Sequence, residues 1–327
     1  MKIALDAMGG DYAPEATVEG AVLAKQLWGL ETVLVGDTER IKPLLEKAGT
    51  EMDIVHADET IGFDEDPAKA VRKKKNASIV VAAKLVASGG ADALVAAGST
   101  GAAMAASLLI YGRQKGIGRP AIAFPMPTVQ GMCLVLDGGA NPGATAENLR
   151  DYGLIGSIYM EKVMGVDRPK VGLLNIGEEE IKGTPEVVEA YQLLKNEKIN
   201  FIGNIEGKDI TAGAADVVVC DGFVGNIVLK YTEGLANGLM SLIKDAMTAN
   251  LKGKIGGLLG KGNLKSLKKK LDYEEYGGTP LLGLKKLTII SHGRSSARAI
   301  ANAIRVASEA SSKNIIESID EALEKRV

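Results

Sequence analysis

The chain reads as an α/β protein: a mostly parallel sheet covered by helices on both faces. Three observations carry that reading. Short apolar runs alternate with segments of helical periodicity along the whole chain. Several of those runs end in a polar, glycine-bearing turn that opens a helix. The composition is that of an ordinary globular chain, with 327 residues, 46% of them apolar and 24% charged. That is enough for a sizeable core and unlike a disordered, collagenous or coiled-coil chain.

Taken in order, Lys2–Leu5 is the first strand. Pro14–Trp28 is a helix with proline in its first turn, where a missing N–H costs nothing. Thr32–Val35, Thr38–Ala48 and Met52–His56 give strand, helix and strand. Helical patterns follow at Pro67–Lys75 and Ser78–Ser88, then the strand Ala93–Ala97 and a helix from Thr100 to Tyr111. Ala121–Phe124 and Met132–Leu136 are apolar strands, and Thr145–Met164 has the period of a long helix. Val171–Asn175, Pro185–Asn196, Phe201–Gly203 and Val217–Cys220 read as strand, helix, strand and strand. Gly225–Leu251 reads as one long helix. After a Gly/Lys-rich break come a short basic helix, the strand Leu287–Ile290, a helix over Ser295–Ser311 and a last charged helix.

Composition excludes several functions. A net charge of −2 gives no field that favours nucleic acid, and 4% aromatic residues form no stacking platform for bases. Cys133 and Cys220, far apart in apolar runs, suit a reducing compartment and not a disulfide scaffold. The first apolar run is too short for a signal peptide. The longest uncharged stretch, Ala93–Gly112, is interrupted by Gly98-Ser99-Thr100-Gly101 and reads as strand, turn and helix, not a membrane span. A cytoplasmic protein is expected. No dinucleotide fingerprint, phosphate-binding P-loop or nucleophile elbow occurs, and two scattered histidines make no zinc spacing. No cofactor or metal is therefore expected.

In a parallel α/β sheet, ligands bind beyond the carboxyl ends of the strands. Six such ends carry polar, glycine-bearing turns. They are Asp6-Ala7-Met8-Gly9-Gly10-Asp11, Gly98–Gly101, Asp137-Gly138-Gly139-Ala140-Asn141, Asn175–Gly183, Asp221–Asn226 and Ser291-His292-Gly293-Arg294-Ser295. Any one of them is an ordinary turn and helix cap. All six converging on one rim describe a site, because glycine admits close backbone approach and helix N-termini offer N–H groups to anions.

Asp6–Asp11 with Pro14, Val135–Asn141, Leu174–Gly183, Asn204-Ile205-Glu206-Gly207, Val217–Lys230, Glu275–Leu282 and His292-Gly293 resemble the bacterial acyl-acyl carrier protein:phosphate acyltransferase family. The resemblance spans essentially the whole chain. It implies transfer of a fatty acyl group from acyl carrier protein to inorganic phosphate, giving acyl phosphate for phospholipid synthesis. It also implies a three-layer αβα fold similar to isocitrate and isopropylmalate dehydrogenases and to phosphotransacetylase. Two lobes with a cleft between them are then expected, residues 1–125 plus 278–327 and residues 126–277, in a homodimer.

Such a reaction needs neither a strong base nor a covalent nucleophile. Phosphate is already an anion, and a thiol of pKa about 8.5 leaves readily. It needs donors that hold phosphate beside the carbonyl and donors that meet the oxyanion. For phosphate the candidates are the N–H groups of Ser99, Thr100 and Gly101, with Lys182, Lys230 and Arg294 as cations. Lys182 follows three glutamates and also reads as a surface ion pair. Asn226 and Lys230 are four apart and share a helix face; Asn141 and Asn226 are neutral donors. Asp221 opens the same helix. His292 is either a donor to the carbonyl oxygen, a proton shuttle to the sulfur, or a cap of the next helix. Asp6, Asp11, Asp137 and Asp221 suit turn-fixing or the orientation of cations better than contact with an anion. Gly9 and Gly10 complete the first turn. Cys220 reads as core.

Two basic segments complete the pattern. Lys252, Lys254, Lys261, Lys265, Lys268, Lys269 and Lys270 lie between Asp245 and Asp272 and flank the apolar, glycine-rich Ile255–Gly260. This tip, with Leu258 and Leu259, is expected to touch an anionic membrane surface. A carrier-protein contact and a solvated loop are the other readings. Leu235, Leu239, Leu242, Ile243 and Met247 form a buried or dimer face on the preceding helix. Lys69, Arg72, Lys73, Lys74 and Lys75 are equally a solvated helix or a carrier-protein dock. Rival functions are a phosphotransacetylase using acyl-coenzyme A, a β-decarboxylating dehydrogenase and a non-catalytic membrane adaptor.

Overall fold

A computed structural model describes residues 1–271 and 277–326. Asp272, Glu275 and the side chains of Lys268, Lys269 and Lys270 lie outside what it describes. The first stretch of chain builds β1 (Lys2–Asp6), α1 (Glu15–Trp28), β2 (Glu31–Gly36), α2 (Thr38–Ala48), β3 (Asp53–His56), α3 (Pro67–Lys73), α4 (Ser78–Ala87), β4 (Ala93–Ala96) and α5 (Thr100–Ile110). Next come β5 (Ala121–Thr128), β6 (Gly131–Leu136), α6 (Ala146–Lys162), β7 (Lys170–Leu174), α7 (Pro185–Lys195), β8 (Asn200–Ile205), α8 (Gly207–Ala212) and β9 (Val217–Val219). The rest is α9 (Gly222–Thr248), α10 (Leu251–Leu259), α11 (Lys261–Leu271), β10 (Thr279–Leu282), β11 (Leu287–Ile290), α12 (Ala297–Ser312) and α13 (Ile315–Glu324).

Among the described residues, eleven strands join one sheet in the order β3-β2-β1-β4-β11-β10-β5-β6-β9-β7-β8. Helices cover both faces, giving the three-layer αβα arrangement. Val18 and Ala21 of α1, Leu149 and Ile155 of α6 and Ile300 and Ile304 of α12 fill one face. Ile79 and Ala83 of α4 and Ala103 and Ala106 of α5 pack on the other face of the first half, and Phe124, Val135, Ile205 and Ile210 on that of the second. Burying one such aliphatic side chain stabilises the fold by about 1.5–3 kcal/mol.

The pairing pattern explains where a site forms. β1, β2, β3, β4 and β11 are mutually parallel, as are β6, β7, β8 and β9. Between them β10 is antiparallel to β11 and to β5, and β5 is antiparallel to β6. Three reversals make the two parallel sets run in opposite directions. They are also offset along the strands: β10 pairs with β5 only at Ala121 and Ile122, whereas β6 pairs with it from Ala123 to Thr128. The carboxyl ends of the two sets therefore face each other across the middle of the sheet.

Besides α10, the structure adds two elements to the sequence reading. β10 carries Pro280, which cannot donate to the ladder and is a poor strand signal on its own. α8 has only six residues, closed by Glu206 and Asp209 as a reciprocal cap. One expectation is corrected. Ile255–Gly260, read as a flexible apolar tip, lies almost wholly in α10. Asn250 caps that helix by accepting from the Gly253 N–H at 2.8 Å. A Cβ at Gly253 would stand 2.9 Å from the Met247 carbonyl oxygen, and one at Gly257 3.3 Å from Met247 Cβ, so the glycines let α10 fold back on α9. The long helix also begins earlier than read, at Gly222, because the Asp221 carboxylate caps it through the Val224 N–H at 2.8 Å. Among the described residues, no helix is long and apolar enough to cross a membrane.

Candidate active site

A cavity of about 410 Å³ opens where the two sets of strand ends meet. Thr100 reaches it from the first turn of α5, and Ser291, His292 and Ser295 from the turn after β11. Gly138 and Gly139 reach it from the turn after β6, and Asn226 and Lys230 from the first turns of α9. Ile122 and Phe124 of β5 and Leu229 of α9 give it an apolar side. Three helices, α5, α9 and α12, thus present their N-terminal turns to one hollow, and each adds partial positive charge.

Asp137 builds the β6 side. Its side chain has no exposed surface. One carboxylate oxygen accepts from the N–H groups of Ile122, Gly139 and Ala140, and the other from the N–H and the Nδ2 of Asn141. Burial pushes its carboxyl above the ordinary aspartate value, and those donors oppose the shift. The loop so fixed receives α9. A Cβ at Gly222 would stand 2.9 Å from the Asn141 backbone, and one at Gly225 would overlap the Asp137 carbonyl oxygen. Glycine at both positions lets the helix dock by its backbone, which turns Asn226 and Lys230 into the cavity. No carboxylate pairs with Lys230 among the described residues.

The opposite side is buttressed by the β1 turn. The Asp11 N–H donates to the Gly293 carbonyl at 2.8 Å. A Cβ at Gly9 would meet the Gly98 nitrogen at 2.9 Å, and Gly10, at φ +108°, lies against the carbonyls of Ala97 and Gly293. Asp6 is buried beneath them; its carboxyl is pushed up by burial, with hydrogen bonds from Ser78, Met8 and Gly9 opposing. Asp11 stands 3.7 Å from Arg294, which is exposed. His292 Nδ1 accepts from the Arg294 N–H at 3.2 Å, so the neutral ring carries its proton on Nε2, as a donor.

Of the residues singled out in the sequence, Thr100, Asn226, Lys230 and His292 are brought together. The others occupy different positions. Ser99 accepts from the Ala102 N–H and caps α5, and a Cβ at Gly101 would press on Pro67 at 2.8 Å. The Asn141 amide donates to the Pro120 carbonyl at 2.7 Å and to Asp137, so it is engaged with the protein's own acceptors. Asp221 is the cap of α9. Lys182 sits on the β7 turn, 4.0 Å from Glu179 and away from the cavity. Cys220 is buried beside Asp137, and burial pushes its thiol up. Ser291 and Ser295, part of a turn singled out in the sequence but given no role of their own, line the cavity, and Glu233 was missed. Glu233 had a signal, the spacing 226, 230, 233 along one face of α9; Gly278 and Thr279 had none, because β10 was unseen.

A family profile described as "Fatty acid synthesis protein" matches residues 1–318. A phosphate acyltransferase of Heliobacterium modesticaldum is 53% identical over 100% of this chain and 99% of its own. Another, of Desulfitobacterium hafniense, is 54% identical over 99% of this chain and 98% of its own. The chain belongs to the phosphate acyltransferase family. Solved structures extend the fold further. A phosphotransacetylase of Streptococcus pyogenes matches with a TM-score of 0.66 at 22% identity, over 97% of this chain and 94% of its own. A 4-hydroxythreonine-4-phosphate dehydrogenase of Klebsiella pneumoniae matches with a TM-score of 0.54 at 14% identity, over 95% and 99%. This is the fold expected from the sequence, shared by a transferase and a dehydrogenase, so the fold alone does not choose the chemistry.

Proposed function

We propose that the chain transfers a fatty acyl group from acyl carrier protein to inorganic phosphate. The observation that carries this reading is one cavity in which Lys230, Asn226 and three helix N-terminal turns stand beside His292 and an apolar side. A phosphate oxygen attacks the thioester carbonyl carbon. The tetrahedral intermediate collapses with cleavage of the C–S bond, and the carrier thiolate leaves and takes up a proton. Lys230, Asn226 and the α5 N-terminus hold phosphate, and His292 donates through Nε2 to the reacting end of the thioester. Bringing the two reactants together supplies about 7–11 kcal/mol in a well-aligned pair. The buried Cys220 takes no part. The cleft lies between two lobes, residues 1–125 plus 278–327 and residues 126–277.

Peripheral membrane contact and a homodimer belong to the same reading. α9 has 27 residues, about 40 Å of helix, and of these only Gly222 and Gly225 are buried. Leu235, Leu239 and Leu242 are exposed along it and suit a second copy. Leu258 and Leu259 are exposed on α10, flanked by Lys252, Lys254, Lys261 and Lys265, and suit an anionic bilayer. Arg72, Lys73 and Lys75, exposed at the end of α3, suit an acidic carrier protein.

The test is incubation with palmitoyl-carrier protein and phosphate, with hydroxylamine trapping of the product. Phosphate-dependent palmitoyl hydroxamate is expected. Equal or better turnover of acetyl-coenzyme A would replace this reading with a phosphotransacetylase, and no turnover of any thioester would leave a membrane adaptor.

A further inference from the structure

Among the described residues that line the cavity, Glu233 is the one acidic side chain. It is partly buried, and no cation pairs with it among the described residues. It lies three residues beyond Lys230 on α9, about 4.5 Å further along the axis and on the same face. Cα–Cβ bonds in a helix tilt toward its N-terminus, which carries Glu233 toward Lys230 and the rim.

The other rim carboxylates are engaged within the protein. Asp6 and Asp137 accept from backbone N–H groups, Asp221 caps α9, and Asp11 stands beside Arg294. Glu233 has no such work. Next to Lys230 and three helix N-terminal turns, a free carboxylate repels a bare anion. It fits an anion that carries hydrogen. At neutral pH phosphate keeps at least one hydrogen, whereas sulfate, of the same size and shape, keeps none.

We propose that Glu233 is the specificity-determining residue by which this cavity takes phosphate and rejects sulfate. Hydrogen phosphate donates its P–OH to the carboxylate in a charge-assisted hydrogen bond. Lys230 and Asn226 take its unprotonated oxygens. One of those attacks the thioester carbon, and the new C–O bond replaces the C–S bond. The hydrogen stays on its own phosphate oxygen, and the carrier thiolate takes its proton elsewhere. Sulfate in the same place sets a charged oxygen against a charged oxygen with no hydrogen between them. A site that recognises a ligand hydroxyl strongly rejects the analogue that lacks it, and contact of like charges adds to the rejection. The inference rests on the acyl-transfer reading for the identity of the anion.

The test compares phosphate, arsenate and sulfate on wild type, Glu233→Gln and Glu233→Asp, by turnover of palmitoyl-carrier protein and by calorimetric titration of each anion. In wild type the sulfate Ki is expected to exceed the phosphate KM by about 10²-fold or more. In Glu233→Gln the amide can donate to sulfate, and that ratio falls by about tenfold or more. Arsenate keeps a hydrogen and holds its ratio to phosphate in every variant. Glu233→Asp keeps the charge and keeps sulfate out. A wild-type ratio near one, or an unchanged ratio in Glu233→Gln, would overturn the assignment. So would equal weakening of all three anions, the mark of a structural role. A raised KM for the acyl donor with the anion ratios intact would overturn it too, and would place the carboxylate against the carrier's amide-bearing arm. The titrations need no turnover. Wild type that prefers phosphate through Glu233 yet forms no acyl phosphate fails the parent reading alone, and an active wild type with unaltered ratios in Glu233→Gln fails this one alone.

Discussion

Asp137 and Leu259 mark two opposite ways of placing a residue against its own chemistry. Asp137 is a carboxylate with no exposed surface, and Leu259 is a leucine with 82% of its surface exposed. Around Asp137 every polar atom of the carboxylate is used, and the glycines beside it hold a loop and a helix at backbone contact. Along α9 and α10 the apolar side chains Tyr231, Leu235, Leu239, Leu242, Leu258 and Leu259 stand uncovered. The rim is held by hydrogen bonds and backbone contacts within one chain. The arm is incomplete within one chain, so its surface has meaning only against something else. The two are joined at Gly222 and Gly225, where the arm is rooted in the rim.

That junction is the place to break the contrast. Gly225→Ala puts a methyl group on the Asp137 carbonyl oxygen, which backbone cannot yield cheaply. The expected cost is about 3 kcal/mol or more, read as a lower urea midpoint with loss of activity in whatever still folds. Next in size is Asp137→Ala, which strands four backbone N–H groups and an amide in the interior. About 3 kcal/mol of stability should disappear, and wild-type stability would show that the turn holds itself. Lys230→Ala leaves both regions folded and should lower acyl phosphate formation by about 10²-fold, equivalent to about 2.7 kcal/mol. A rate within error of wild type takes Lys230 out of the mechanism. The smallest effect sharpens the contrast: Leu258→Glu with Leu259→Glu should weaken sedimentation with anionic vesicles by about tenfold and leave turnover of a soluble donor unchanged. Intact vesicle binding would clear the α10 tip of that role.

How much of this could be read beforehand follows the same division. The strand–helix alternation was legible because each unit carries its own period and its own turn chemistry, as in Pro14–Trp28 or Thr38–Ala48. β10 was hidden by Pro280, whose strand character comes from two antiparallel neighbours and not from its own residues. The flexible-tip reading of Ile255–Gly260 failed because its glycines serve a helix–helix contact with Met247, a tertiary fact. Within the site, Asn226, Lys230 and His292 were legible from helix spacing and strand ends. Asn141 shared that logic, yet its amide is held by Pro120 and Asp137, and nothing local in the sequence shows a partner twenty-one positions away. The buried acids Asp6 and Asp137 were foreseen as turn-fixers from the poor match of a carboxylate to an anionic substrate.

The strand order has one more consequence, in the order of synthesis. β4 ends at Ala96, but its neighbour in the finished sheet, β11, begins at Leu287. A chain emerging from the ribosome N-terminus first can pair β1, β2, β3 and β4 early, and must then carry the open edge of β4 while the whole second half and the arm are made. An open edge of this kind is a template for pairing with other chains. The late segment that closes it also brings in Ser291 and His292. Covering the edge and completing the proposed catalytic wall are therefore the work of the same stretch of chain.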